Sequence, residues 1–375
     1  MTGSKPHYIV LDALRGVAAL MVLLYHLFEA VAFAAGAPEQ KMFHGFLAVD
    51  FFLILSGFVM GYAYDEKWGV MSVGRFFKKR LIRLHPMVVM GVVIGLVAFC
   101  CQGCRLWDGS QAGFWRVFAS ALLALFLLPS PRRLDVRGNT EMFPLNGPHW
   151  SLFFEYIGSI LYALLLRRLS TRWLKVWVAA AAVALLAMGL FGPDGCIAYG
   201  WSSQPVNMLG GFIRMSFAYP AGLLLARFFR ERKPSVIKGP VFLYCAAALI
   251  MLLCVPSLGG LKVYYELLCV VVAFPAIIWT GARAGLDDGS GKRAIKMLGD
   301  LSYPLYAVHY PFIYLYIGWI NAGRQPFGPQ PWATPVAIAL ISIATAAICF
   351  YLYDRPLRGW LNRPKRELPL PDIEA

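Results

Sequence analysis

A guanidinium, an imidazole and a carboxylate stand inside the first long apolar stretch of this sequence. From Ile9 to Ala35 the chain is apolar over more than a bilayer's width, yet it holds Asp12, Arg15 and His26. Ionisable side chains at membrane depth are costly and mark functional sites by default. The eleven-residue spacing of Arg15 and His26 returns to within about 20° of the same helix face, about 16 Å further along the axis. One face of one helix therefore carries a cation near the membrane surface and an imidazole near mid-membrane. An imidazole so placed suits a general base or a nucleophile. The structural alternative is an Arg reaching for the interface and a His hydrogen-bonded inside a bundle.

Three further segments carry chemistry-bearing residues. The run Gly45–Phe58 holds Asp50 and Ser56 among apolar side chains, and a carboxylate there must find a partner or a proton. A short loop joins this run to the first, so Asp50 is expected either to orient His26 or to pair with Arg15. In Arg75–Pro86, five cations form an ordinary positive anchor, but Arg80 and Arg83 are three apart on one face at the mouth of a span. Guanidinium forks suit phosphate, so this pair is a docking point for a phosphorylated cofactor. The stretch His149–Tyr156 places Trp150, Ser151 and Glu155 together, with Ser151 and Glu155 four apart on one face. There Ser151 could equally cap the helix with Glu155 in its first turn. Farther on, Leu298–Pro311 carries Ser302, Tyr303 and His309, with Ser302 and His309 seven apart and again on one face; an interfacial aromatic belt is the alternative there.

The elements that must position these residues follow from composition. The chain has 375 residues, 59% hydrophobic and 15% charged, with a mean hydropathy of +0.61. A soluble domain is less apolar and more highly charged. Apolar segments lie at about residues 9–35, 44–64, 85–101, 113–129, 149–166, 173–191, 207–229, 240–256, 261–282, 299–321 and 333–353. The expectation is an all-α polytopic membrane bundle of about ten transmembrane helices, with 113–129 re-entrant or interfacial. One integral membrane domain spans residues 1–355, followed by a polar cytoplasmic tail, 356–375, expected to be disordered. Basic connections at Arg75–Arg83, Arg167–Lys175, Arg227–Lys238, Arg283–Lys296 and Arg355–Arg366 place both termini in the cytoplasm. The basic stretch Pro131–Arg137 falls outside, against that rule. Gly57, Gly61, Gly91 and Gly95 are spaced for close helix packing.

Composition also excludes. The net charge of +15 is distributed as the positive-inside rule requires, with no basic groove interleaved with aromatics, so nucleic acid is not the partner. Cys100, Cys101 and Cys104 lack a second pair or a His at zinc-like spacing, so no metal is expected. Asp12 and Arg15 interrupt the first apolar run, which reads as an uncleaved span rather than a signal peptide.

Taken together, these residues resemble the acyltransferase-3 family of integral membrane acyltransferases of bacterial glycans. The residues that carry the resemblance are Leu14-Arg15-Gly16 with Tyr25-His26, Val49-Asp50-Phe51-Phe52 with Ser56-Gly57-Phe58, Arg80 with Arg83-Leu84-His85-Pro86, Trp150-Ser151-Leu152 with Glu155, and Leu301-Ser302-Tyr303-Pro304 with His309. His85 stands where the family often has Tyr, and Tyr156 follows Glu155 where many members are more polar. The resemblance implies cytosolic acyl-CoA, usually acetyl-CoA, as donor and a carbohydrate hydroxyl, lipid-linked or free, as acceptor. It implies an inner-membrane location and work alongside glycan-synthesis proteins; with no hydrolase-like domain following the bundle, a second transfer step would fall to one of them. It also implies that Arg15 and His26 are required, that Asp50 and Glu155 support them, and that Arg80 and Arg83 hold coenzyme A. Ser56, Trp150, Ser151, Ser302, Tyr303 and His309 are supporting candidates. On this reading His26 is the base, with Asp50 or Glu155 setting its tautomer, or else it forms an acyl-histidine. The rival reading is a glycan or lipid transporter that uses the same buried charges as a binding path.

Overall fold

The computed structural model describes residues 8–34, 43–285, 290–323 and 332–363. Among these residues every extended element is helical, and only isolated bridges pair in β fashion. Hydrocarbon offers no partner for a bare amide, so a chain this apolar closes its hydrogen bonds within helices. The helices are α1 Ile9–Ala34, α2 Ala48–Tyr64, α3 Val73–Cys101, α4 Phe114–Leu125, α5 His149–Leu164, α6 Thr171–Phe191 and α7 Pro205–Arg232. There follow α8 Val241–Cys254, α9 Lys262–Leu268, α10 Phe274–Ala282, α11 Ser290–Val308, α12 Tyr310–Asn321, α13 Ala333–Ile348 and α14 Arg355–Leu361. Ser72 and Ser170 cap α3 and α6, each accepting from the backbone N–H three residues on.

Among the described residues, 8 helical stretches are long and apolar enough to cross a membrane. π turns at Cys269–Ala273 and Cys349–Asp354 join α9 to α10 and α13 to α14 without a break. The remaining apolar segments are shorter. Segment 113–129 becomes α4, 12 residues long, too short to cross, as expected of it. Segment 240–256 becomes α8, with 14 residues, and segment 299–321 is divided at His309 into α11 and α12. The tail expected from residue 356 starts later. α14 carries the helix through Leu361, and residues 364–375 lie outside the described set.

The core is set by glycine contacts. α2 and α7 share the most extensive helix contact, α1 and α11 the next. A Cβ at Gly57 would lie 2.0 Å from the carbonyl oxygen of Tyr219, and one at Gly222 would lie 1.9 Å from that of Ile54. Bare backbones touch here, which is how membrane helices gain packing energy without a hydrophobic driving force. Gly91 and Gly95 bring α3 equally close to Ala307 and Leu145.

Basic residues gather at one end. Arg227 and Arg230 lie 3.2 and 3.5 Å from Asp65, and the Arg167 guanidinium sits 4.1 Å from the centre of the Trp68 ring. At the other end, the loop between α4 and α5 pairs with the loop between α6 and α7. Met142 N–H donates to Trp201 O at 3.0 Å, and Thr140 and Ser202 hydroxyls meet at 2.8 Å. Of the basic stretch that defied the charge rule, Arg137 is internalised, while Arg132 and Arg133 stay exposed. Arg137 is fully buried against the rings of Phe99, Trp107 and Tyr314, 4.0–4.9 Å from their centres. It donates to Gln102 Oε1 at 2.6 Å and Pro144 O at 3.1 Å. Aromatic faces and carbonyls replace water around this cation.

Gly222→Val forces a side chain into the Ile54 carbonyl. The α2–α7 contact should open, with a loss of at least about 3 kcal/mol. Thermal unfolding of the detergent-solubilised variant reads this as a lowered midpoint.

Candidate active site

The helices enclose two cavities, one toward each end of the bundle. The first, of about 290 Å³, lies at the basic end. The mouth of α3 supplies Arg80 and Arg83, α1 supplies Asp12 and Arg15, and α11 supplies Ser302 and Tyr303. Arg15 Nε donates to Ser302 Oγ at 2.8 Å, which donates in turn to Gly299 O at 2.7 Å. Arg15 also pairs with Asp12 at 3.2 Å. Arg80 Nη2 donates to Glu155 Oε1 at 2.7 Å, and Ser56 Oγ donates to the same oxygen at 3.0 Å. Tyr303 OH donates to Leu84 O. Arg83 makes no hydrogen bond or ion pair among the described residues, and Arg80 Nε is buried without a partner. A free guanidinium beside a half-used one at a cavity wall fits a phosphate-bearing ligand.

The second cavity, of about 490 Å³, lies at the opposite end. His26 and Glu29 reach it from α1, one turn apart. Glu29 Oε2 sits 2.7 Å from His26 Nδ1. The carboxylate thus holds the ring with Nε2 turned away, the geometry of an oriented base. The His309 ring stacks against His26 at 5.5 Å, and the Tyr310 ring meets it edge-on at 4.6 Å. His309 Nδ1 lies 3.0 Å from both Leu305 O and Tyr306 O, so the backbone fixes its tautomer. Trp150, Trp201, Trp107 and Tyr314 supply aromatic faces, and Glu141 a second carboxylate. Tyr314 OH donates to Glu141.

Val49 and Tyr306 line both cavities. Tyr306 OH is held 2.6 Å from Ser151 Oγ, and Ser151 donates to Pro148 O at 3.1 Å. Ser151 thus anchors Tyr306 rather than capping α5, whose cap carries no side-chain hydrogen bond.

This arrangement redistributes the residues singled out by sequence. Arg15, Arg80, Arg83, Glu155, Ser56, Ser151, Ser302 and Tyr303 meet at the first cavity. His26 and Trp150 line the second, with His309 stacked on His26. Two expectations are corrected. Asp50 touches neither His26 nor Arg15; it forms a bidentate pair with Arg214, at 3.1 and 2.6 Å. Both partners are buried, and Arg214 Nη1 also donates to Tyr199 O. Glu155 is taken by Arg80 and Ser56, so it does not set the His26 tautomer. Glu29 does, and sequence reasoning missed it, although it stands at the i+3 position that shares a helix face with His26. Arg214 was also missed. As the single charge in the apolar run Val206–Leu225, it carried the same intramembrane signal as Asp50.

An Acyltransferase domain model, that of the acyltransferase-3 family, matches residues 8–354. The chain belongs to that family of membrane acyltransferases. It is 25% identical to Acyltransferase MdmB of Streptomyces mycarofaciens, over 96% of this chain and 94% of that protein. It is 32% identical to Protein 2 in picA locus of Rhizobium radiobacter, over 50% of this chain and 97% of that protein. It is 23% identical to Peptidoglycan O-acetyltransferase OatA of Listeria monocytogenes, spanning 96% of this chain but 57% of that protein. No solved structure matches the chain.

Two outcomes follow from these geometries. Asp50→Asn leaves Arg214 buried without its counter-charge and should cost about 3–5 kcal/mol of stability. The apolar pair Asp50→Leu with Arg214→Met should recover most of it in the same thermal unfolding measurement. Burial pushes the Glu141 carboxyl up to about 7 from its ordinary 4.5. The folded state then binds the proton that the unfolded chain has released. Stability is fullest below about pH 4.5 and falls as pH rises toward 7, by about 2–3 kcal/mol. Glu141→Gln should flatten that slope in denaturation midpoints measured across pH 5–8.

Proposed function

We propose that this protein transfers an acyl group, acetyl being the simplest, from acyl-CoA at the cytoplasmic face to a hydroxyl of a carbohydrate bound in the His26 cavity. The observation that carries the reading is the pair of cavities meeting at Val49 and Tyr306. One offers unpaired guanidinium, the other an oriented imidazole. Clustered basic residues at the first cavity's end favour that end as cytoplasmic, with both termini there, in a bacterial inner membrane. The relative named as a peptidoglycan O-acetyltransferase supports a sugar hydroxyl as acceptor. A lipid-linked carrier for that sugar, and glycan-synthesis proteins that supply it, fit an acceptor cavity at the outer end.

In this mechanism Arg83 and Arg80 hold the phosphates of coenzyme A, with Glu155 and Ser56 fixing the Arg80 fork. Arg15, steadied by Ser302 and Asp12, lies where the pantetheine arm enters. The thioester reaches past Tyr306 toward His26. His26 Nε2 takes the proton of the acceptor hydroxyl while Glu29 steadies the imidazolium through Nδ1–H. The oxygen forms its bond to the thioester carbonyl carbon, the carbon–sulfur bond breaks, and the proton passes from His26 to the departing thiolate. The ester and free coenzyme A balance the reaction.

Purified protein in liposomes, given acetyl-labelled acetyl-CoA and an envelope glycan extract, tests this. Free coenzyme A and label in glycan should appear together. His26→Ala should abolish both, and Glu29→Gln should lower turnover by about 10²-fold. Arg83→Ala should raise KM for acetyl-CoA more than it lowers kcat. Glycan modified in cells while wild type and His26→Ala alike leave acetyl-CoA untouched would overturn the donor assignment.

A further inference from the structure

The two cavities differ in the sign of their unspent charge. At the first, Arg83 is a cation with no hydrogen bond or ion pair among the described residues. At the second, Glu29 and Glu141 stand on the lining, and the one arginine there among the described residues, Arg214, is already committed. Asp50 takes two of its nitrogens and Tyr199 O the third. Arg137, the nearest further guanidinium acting on Glu141, is caged behind Trp107 and Tyr314 and is not on the lining. Neither carboxylate is bound by a guanidinium: Glu29 faces His26, and Glu141 accepts from Tyr314.

We propose that the His26 cavity selects an uncharged sugar ring and excludes acidic sugars. This rests on the reading that the cavity holds the acceptor. The Trp107, Trp150 and Trp201 rings suit the C–H faces of a pyranose, and Glu141 and Asn139 accept or donate to its hydroxyls. A uronic acid or a phosphorylated sugar would bring its anion beside the Glu29 carboxylate and, above about pH 7, that of Glu141, with no uncommitted arginine or lysine among the described residues of the lining. Like charges at close quarters discriminate by repulsion, without any change in the attractive contacts. The same sign keeps the anionic head of the donor out of the acceptor's place. The two substrates are sorted by charge before either meets His26.

The test uses the full chain in nanodiscs with methyl glucoside and methyl glucuronide, water-soluble probes that differ by one carboxylate. Quenching of tryptophan emission reads binding without turnover, and Trp201→Phe, which removes a lining fluorophore, should diminish the signal. Methyl glucoside should quench saturably, and methyl glucuronide should need about tenfold or higher concentration. Glu141→Gln should narrow that ratio. Equal quenching by the two probes, tighter binding of the glucuronide, or quenching by neither would overturn the proposal. Acetyl transfer to the same probes separates the two readings. Discriminating quenching without His26-dependent coenzyme A release would sink the transferase mechanism and leave the selectivity standing. Release with equal use of both acceptors would do the reverse.

Discussion

Asp50 and Arg214 form a bidentate ion pair between α2 and α7, the two helices in most intimate contact. Neither charge has water to fall back on, so each is tolerable only opposite the other. The pair fixes register as well as contact. Sliding α7 by one helical turn, about 5.4 Å, would strand both charges in hydrocarbon. The same slide would drive side chains into the backbone where Gly57 and Gly222 let α2 and α7 touch. Electrostatics and sterics therefore specify one docking of these helices. That docking sets Val49, next to Asp50, against both cavities. The guanidinium also lies 5.3 Å from the centre of the Trp150 ring, so the same pair helps to place an aromatic wall of the outer cavity.

Around this frame the remaining intramembrane charges fall into two groups with different work. Those at the basic end are tied in short chains, Arg80 to Glu155 to Ser56, and Asp12 to Arg15 to Ser302. These chains hold guanidinium forks in place and leave Arg83 uncommitted. At the other end the pattern is a dyad among rings, with His26 between Glu29, His309 and Tyr310. α1 carries both patterns on one face, and α11 runs beside it with Ser302 against Arg15, while His309, at the break between α11 and α12, stacks on His26.

Much of this was legible in the sequence, and the reasons are physical. An apolar run that carries Asp, Arg and His can be read because bilayers penalise such residues, so their presence signals use. That argument singled out Arg15, His26, Asp50 and Glu155, and the spacing of Arg80 and Arg83 at the mouth of a span added those two. Pairing was less legible, because which buried acid meets which buried base depends on helix rotation and neighbourhood. Asp50 was near His26 in the order of helices, yet it faces α7 and finds Arg214 there. Glu29 was one turn from His26 on the same helix, and periodicity alone could have joined them. Glu141 and Arg137 sit in a loop outside any apolar span, where charge is unremarkable until the fold buries it. The short helices α4 and α8 show a further limit. An apolar stretch announces burial, whereas crossing depends on length.

The lining that the two cavities share at Val49 and Tyr306 has a consequence for the cell rather than for the reaction. Two cavities toward opposite ends of the bundle that share lining residues are one broken wall away from a pore. Each elementary charge leaking through such a pore would dissipate about 2.3 kcal/mol per 100 mV of membrane potential. Tyr306, tethered by Ser151, stands in that wall. A membrane acyltransferase with such a wall works under the discipline of an energised membrane, because an opening there would pass protons and sodium ions. Its tightest constraint at that residue is insulation.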